Sequence, residues 1–222
     1  MSAYVRPTVP DAVYRDDDGR VVHYGERWAD GGPPEDAYSR VSHPERFAPL
    51  HAVAETLLAH LRSTYDVAVE DDVSVADDLR SRPREVLRAV RLTPADPDAA
   101  PLVVVFTSFP GVIVRAGLLH DFPFPICGCD ACDERWDDQA GQLEAQVFAV
   151  VEGRYRERVR PNRDLDVEYS IAAAGDAGGA ASGGTRGEFF PPDRLDAARE
   201  TLDRLPHGWR AWPRRDAAAV DR

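Results

Sequence analysis

Apolar residues recur along this chain with two different periods, and the alternation between them outlines the fold. From residue 42 to about 65, Phe47, Leu50, Val53, Ala54, Leu57, Leu58 and Leu61 keep steps of three and four, which lays one apolar stripe along a helix. Ser42 and Glu45 match a capping box and Pro44 suits a first turn, so this helix is expected to begin there. Over residues 134–158, Trp136, Ala140, Leu143, Val147, Val150 and Val151 repeat the pattern and predict a second long helix. Strand-like segments lie between the two, at 66–70, 85–92, 102–106 and 112–118. The last two are joined by Phe109-Pro110-Gly111-Val112, where Pro followed by Gly suits a type II turn, and consecutive strands of this kind predict an antiparallel meander.

The flanking regions are less regular. Val13-Tyr14 and Val21-Val22-His23-Tyr24 flank the turn-forming run Asp16-Asp17-Asp18-Gly19, which predicts a short hairpin over 12–25. The Gly-Gly-Pro-Pro punctuation at 31–34 implies an irregular arm up to residue 41. Residues 165–171 can add a strand, and residues 192–205 a final helix that leads into a tail containing Trp209 and Trp212. The Gly/Ala/Ser tract at 172–187 offers no core-forming side chain and reads as a flexible loop; its glycines lack the strand-to-helix spacing of a phosphate cradle. The expected architecture is α+β: one domain spanning 1–222, with an antiparallel sheet of about four to five strands, two long helices packed on it and irregular terminal arms.

Composition narrows the function classes. The formal net charge is −12 with 39 Asp and Glu, so the mean field repels nucleic acid and anionic membranes. All 27 basic residues are Arg, which removes a P-loop or Schiff-base lysine from consideration. The apolar stretch 101–119 approaches the length of a membrane span, but Pro110, Gly111 and Arg115 interrupt it, and two strands with a turn account for it better. Residues 1–10 lack the basic and apolar regions of a secretory signal, and a cytoplasmic location is expected.

The chemistry concentrates in one place. All three cysteines fall within six positions, Cys127-Gly128-Cys129-Asp130-Ala131-Cys132. An odd number of thiols cannot form a closed disulfide framework, and a bridge between Cys127 and Cys129 would strain a small ring. A Cys-x-Cys-x-x-Cys run on a tight loop can instead wrap three thiolates around one soft ion, zinc first among them, with Gly128 supplying the backbone freedom. Asp133 is a candidate N-cap for the helix expected to start at Glu134, whose N-terminus would favour thiolates, Cys132 most of all. For the fourth ligand His120, seven residues upstream, is the first candidate, followed by Asp130, Asp133, Glu134 and His207. A metal-free thiol cluster and thiol-based redox or catalytic chemistry remain the alternatives.

Other features carry less. His51 and Glu55 stand four apart on the first helix, a spacing more typical of a solvated face than of a metal site. Trp209 and Trp212 flank Arg210 and either anchor a protein partner or dock onto the chain's own core. The segment Phe122-Pro123-Phe124-Pro125 reads as a stiff extended lead-in to the cysteine loop. No nucleophile elbow or serine triad is present, so no catalytic residue is assigned. The functional expectation is a small protein with a structural Cys-ligated zinc; an acidic, chaperone-like or immunity-like interaction module without metal is the alternative, and a thiol or zinc enzyme the third.

The run Gly117-Leu118-Leu119-His120-Asp121-Phe122 leading to Cys127-Gly128-Cys129-Asp130-Ala131-Cys132-Asp133-Glu134 resembles an uncharacterised actinobacterial family, domain of unknown function 6226. His43-Pro44-Glu45-Arg46-Phe47-Ala48-Pro49-Leu50-His51 and Gly208-Trp209-Arg210-Ala211-Trp212-Pro213-Arg214-Arg215 carry the same resemblance. It implies one family domain over nearly the whole chain and brings no activity, ligand or catalytic residue.

Overall fold

A computed structural model describes residues 3–10, 12–28, 31–80, 82–160, 166–174 and 180–215. Its centre is the most apolar stretch of the chain. Strand β5 (Leu102–Thr107) is buried at all six positions because both faces of the sheet are covered there. Leu102, Val104 and Phe106 face the large core shared with the helices, whereas Val103 and Val105 face a smaller cluster with Val75, Ala76, Leu79 and Ala89. A strand covered on both sides loses the alternation of a half-exposed one, and this explains the continuous apolar run.

Strands β3 (Val67–Asp71), β4 (Val86–Pro94), β5, β6 (Gly111–Ala116) and β7 (His120–Phe124) form an antiparallel meander in chain order. The β5–β6 hairpin pairs Leu102 with Ala116 and Phe106 with Val112. Helix α1 (Pro49–Thr64) buries Leu50, Val53, Ala54, Leu57, Leu58 and Leu61, the stripe predicted from spacing. Its approach differs from the expected capping box. Pro44–Phe47 forms a separate 3-10 turn, and the Ser42 hydroxyl donates to Asp130. No helix among the described residues is long and apolar enough to cross a membrane.

Helix α2 (Trp136–Val151) packs beside α1 over β6 and β7 and ends earlier than predicted. Gly153 adopts φ +72°, which glycine alone takes without strain, and a Cβ there would come within 2.5 Å of the Ala211 nitrogen. The chain reverses into β8 (Tyr155–Val159), where period-two burial of Tyr155 and Glu157 replaces the helical pattern.

A second antiparallel sheet follows in the order β10-β9-β8, with β9 at Val167–Ile171 and β10 at Ala181–Thr185. The expectation of a flexible loop over 172–187 is therefore corrected at its C-terminal part; residues 175–179 lie outside the described residues. Backbone pairing needs no apolar side chain, and Gly183 lets Tyr169 lie against the strand, since a Cβ would meet Tyr169 Cε1 at 2.7 Å. Helix α3 (Pro192–Asp203) packs on β8. The N-terminal hairpin forms as predicted, β1 (Tyr14–Arg15) with β2 (Val21–Val22). The architecture is α+β, with a five-stranded antiparallel sheet, a smaller second sheet and the long helices on one face.

The tail with the two tryptophans crosses the end of the large core. Trp209 and Trp212 are 4% and 3% exposed, and their indole N–H groups donate to Glu157 and to the Ala100 carbonyl. The indoles pack into the chain's own core, so neither presents a surface to a partner here. The segment expected to be a stiff lead-in is β7 itself, an edge strand of the large sheet, where Pro123 is tolerated because it removes no central ladder bond.

Candidate metal centre

The loop between β7 and α2 carries the cysteines, and groups outside the thiols set its shape. Gly128 takes φ +83°, and a Cβ there would lie 2.8 Å from Phe109 Cζ. Glu134 Oε2 accepts the backbone N–H of Gly128 at 2.7 Å and of Cys127 at 3.2 Å. Arg46, almost fully buried, donates from Nη2 to the Gly128 carbonyl at 3.0 Å.

The other side of the loop holds the N-terminal arm. The Asp130 side chain is completely buried and accepts from the Ser42 backbone, the Ser42 hydroxyl and Arg40 Nε at 2.8, 2.7 and 3.1 Å. Asp130 N–H donates to the Arg40 carbonyl and Ala131 N–H to the Ala37 carbonyl, while Trp28 Nε1 donates to the Asp130 carbonyl. Cys129, Ala131, Ala37 and Trp28 form a small apolar cluster of their own. The loop is thus a junction between the arm, the edge of the sheet and the start of α2.

Within this junction the three sulfurs converge. Cys127 Sγ lies 3.2 Å from Cys129 Sγ, and all three sulfurs lie within 4.8 Å of one another. Thiolates about 2.3 Å from one tetrahedral ion stand about 3.8 Å apart, so the cluster fits a single soft cation. Cys129 is buried, whereas Cys127 and Cys132 are exposed. Burial opposes the Cys129 thiolate, but the Cys127 thiol and the backbone N–H groups of Cys132 and Ala131 outweigh it and lower its pKa. Hydrogen bonding to the Cys127 and Cys129 sulfurs, with burial and their charge, pushes Cys132 up to about 12. The thiol protons are shared through these contacts, with Cys129 favoured as thiolate and Cys132 as thiol, the reverse of the expectation that Cys132 would be the activated thiolate.

The expected ligands divide sharply. His120 stands at the opposite end of β7 from the cysteines, four extended residues or about 13 Å from Phe124, and its Nδ1 bonds Glu157 Oε1 at 3.0 Å. The group of ligand atoms that converges among the described residues contains the three sulfurs without it. Asp130 is turned to Ser42 and Arg40. Asp133 takes φ +52° and accepts the Arg27 backbone N–H at 2.8 Å, so it caps no helix; α2 starts after Arg135 without a side-chain cap. Glu134 accepts from the backbone N–H groups of Cys127 and Gly128 and from Gln139 Nε2. His207 is exposed, and its carbonyl accepts from Arg156. His51 bonds the Gly111 carbonyl while Glu55 pairs with Arg88, so these two form no joint site.

Sequence reasoning did not identify Ser42, Arg40 and Arg46 as partners of the cysteine loop. Their contacts span about 80 to 90 residues, and no local pattern reports them; the resemblance did group residues 43–51 with the loop. No curated protein and no solved structure matches the chain. A model of a family of unknown function, DUF6226, matches residues 10–216, and the chain belongs to that family.

Proposed function

We propose that Cys127, Cys129 and Cys132 hold one zinc ion as thiolates, and that the ion serves to fix the loop joining the N-terminal arm to the sheet and α2. The observation that supports this most directly is the convergence of three sulfurs within 4.8 Å on a loop shaped by Glu134, Arg46 and Asp130 rather than by a disulfide. Zinc favours thiolate sulfur and imposes no redox change, which suits an ordering role. The exposure of Cys127 and Cys132 leaves the fourth position facing solvent, where water or an external ligand completes the tetrahedron. Thiols kept reduced in such a set belong to a reducing compartment, which supports a cytoplasmic location.

The test is elemental analysis of protein purified in reductant without chelator. About one zinc per chain is expected, with near-total loss in each single Cys→Ser variant, because removing one ligand opens the site. His120→Ala should retain the metal. Protein that carries no metal, takes up none on zinc addition and has three freely alkylated thiols overturns the reading.

A further inference from the structure

A second site lies between β7, α2 and the smaller sheet, and its lining reaches Ile126, the residue before Cys127. A cavity of about 580 Å³ there is lined by His120, Phe122, Gln142, Gln146, Tyr169 and Ile171, among others. This is the size of a small-molecule pocket; apolar groups supply most of its wall, and Arg80, Asp121 and Arg154 also stand in the lining.

Two polar groups in that lining lack partners among the described residues. His120 and Gln146 are each only 6% exposed, and His120 Nε2 and Gln146 Nε2 are buried atoms with no hydrogen bond. An unsatisfied buried polar atom costs about 1–3 kcal/mol, so two on the wall of one cavity call for an explanation.

The behaviour of His120 follows from Glu157, whose side chain is wholly buried. Its Oε1 accepts from Leu119 N–H at 2.9 Å, and its Oε2 accepts from Leu118 N–H at 2.9 Å and Trp209 Nε1 at 3.2 Å. Three fixed donors that can only donate hold this carboxylate as an acceptor, so the proton of the fourth bond belongs to His120 Nδ1. A neutral imidazole with its proton on Nδ1 carries a lone pair on Nε2. Phe122 and Tyr169 pack against the ring, with centroids 6.4 and 5.0 Å from it, and fix its plane. When the imidazole is neutral, the cavity wall thus carries an oriented acceptor in His120 Nε2 and an amide in Gln146, set among mostly apolar groups.

We infer that this cavity binds a small, neutral, largely apolar molecule bearing a hydroxyl, an alcohol or phenol, whose O–H donates to His120 Nε2 while the Gln146 amide bonds its polar end. A hydroxyl is both donor and acceptor, which matches the two unpartnered groups, and the aromatic walls receive the apolar body. None of the three cysteines lines the cavity, so the binding groups are distinct from the thiols.

The test uses the full chain and two probes that differ by one hydroxyl, 4-propylphenol and propylbenzene, titrated while amide chemical shifts are followed. The phenol should bind at least about tenfold more tightly than propylbenzene and move the imidazole nitrogen-15 resonance of His120 Nε2. Gln146→Leu and His120→Phe should each weaken the phenol by about tenfold and leave propylbenzene unchanged. Should His120→Phe fail to fold, Gln146→Leu decides alone, since Gln146 Nε2 on α2 has no hydrogen-bond partner among the described residues. The inference is overturned if the probes bind equally, if the phenol does not bind up to its solubility, or if a natively folded Gln146→Leu variant binds it as the wild type does.

Discussion

Ser42 donates both its backbone N–H and its hydroxyl to the carboxylate of Asp130, at 2.8 and 2.7 Å, so the residue after Cys129 holds the chain 88 positions upstream. Arg40 Nε completes the set at 3.1 Å. Asp130→Ala strands the part-buried N–H and hydroxyl of Ser42 at once and should cost about 1–3 kcal/mol. Asp130→Asn keeps the volume and one acceptor oxygen and should cost roughly half as much. Urea unfolding checks this through a lower midpoint at unchanged slope. A midpoint within error of wild type for Asp130→Ala would show that the arm is not held through this carboxylate.

The same carboxylate makes stability depend on pH. Burial opposes its charge, but the two Ser42 hydrogen bonds, with Arg27 and Arg46 nearby, outweigh it and lower its pKa. A folded-state value below the unfolded one, about 3.9, gives stability that is complete above the unfolded value and is lost as pH falls through the folded one. Between pH 5 and 2 the wild type should therefore lose more stability than Asp130→Asn, and the two urea midpoints should converge. Parallel curves over that range would assign the acid sensitivity to other groups.

What could be read in advance follows the physics of each element. The meander and both long helices were legible because burial on one or both faces leaves a periodic or continuous apolar signal. The end of α2 was not, because Val151, Tyr155 and Val159 continue the step of four and only Gly153 marks the stop. Strand β7 was hidden by Pro123, which reads as a breaker although an edge strand admits it. Strand β10 pairs through its backbone and needs no apolar side chain. In the site, the cysteines announced themselves by density, whereas nothing in the sequence around Glu157, between Arg156 and Arg158, marks a buried carboxylate with four donors around it.

The shared protons of the cysteine cluster predict an unusual order of reactivity. Cys132 is exposed, yet bonding to the Cys127 and Cys129 sulfurs raises its pKa to about 12. In metal-stripped protein at pH 8 it should alkylate at least about tenfold more slowly than a free thiol, whose pKa is about 8.5, because the thiolate is the nucleophile. Substituting Cys127 by Ser removes the largest cause and should speed Cys132. Peptide mapping after timed iodoacetamide treatment reads both rates, and a fast Cys132 in the wild type would contradict the proton sharing.

Strand β10 can be tested at a single position. A Cβ on Gly183 would come 2.7 Å from Tyr169 Cε1 and 2.9 Å from its hydroxyl oxygen. Gly183→Val should therefore displace the ring and cost about 1–3 kcal/mol by overpacking, even though valine is the better strand former. Thermal unfolding and the near-ultraviolet circular dichroism of the tyrosines should both change. An unchanged melting temperature would restore the view of 181–185 as an unpacked loop.

The tryptophan tail separates two readings that the chain alone left open. If Trp209 and Trp212 were partner anchors, replacing them would leave the isolated protein as stable as before. The indoles are instead almost fully buried, Trp209 against Glu157 and Trp212 against Ala100 and the Tyr65 ring, whose centroid is 5.7 Å away. Trp209→Phe keeps an aromatic ring but removes one of two N–H donors on Glu157 Oε2, and Trp212→Phe removes the donor to a buried carbonyl. Each should lower stability by about 1–3 kcal/mol through lost volume and the loss of a donor to a buried acceptor. Trp212→Phe should leave the His120 resonances in place, whereas Trp209→Phe should shift them, because only Trp209 shares the Glu157 carboxylate with His120. Chemical denaturation gives the first comparison and imidazole nitrogen-15 spectra the second, and equal His120 shifts in the two variants would break the proposed link between the tail and the cavity.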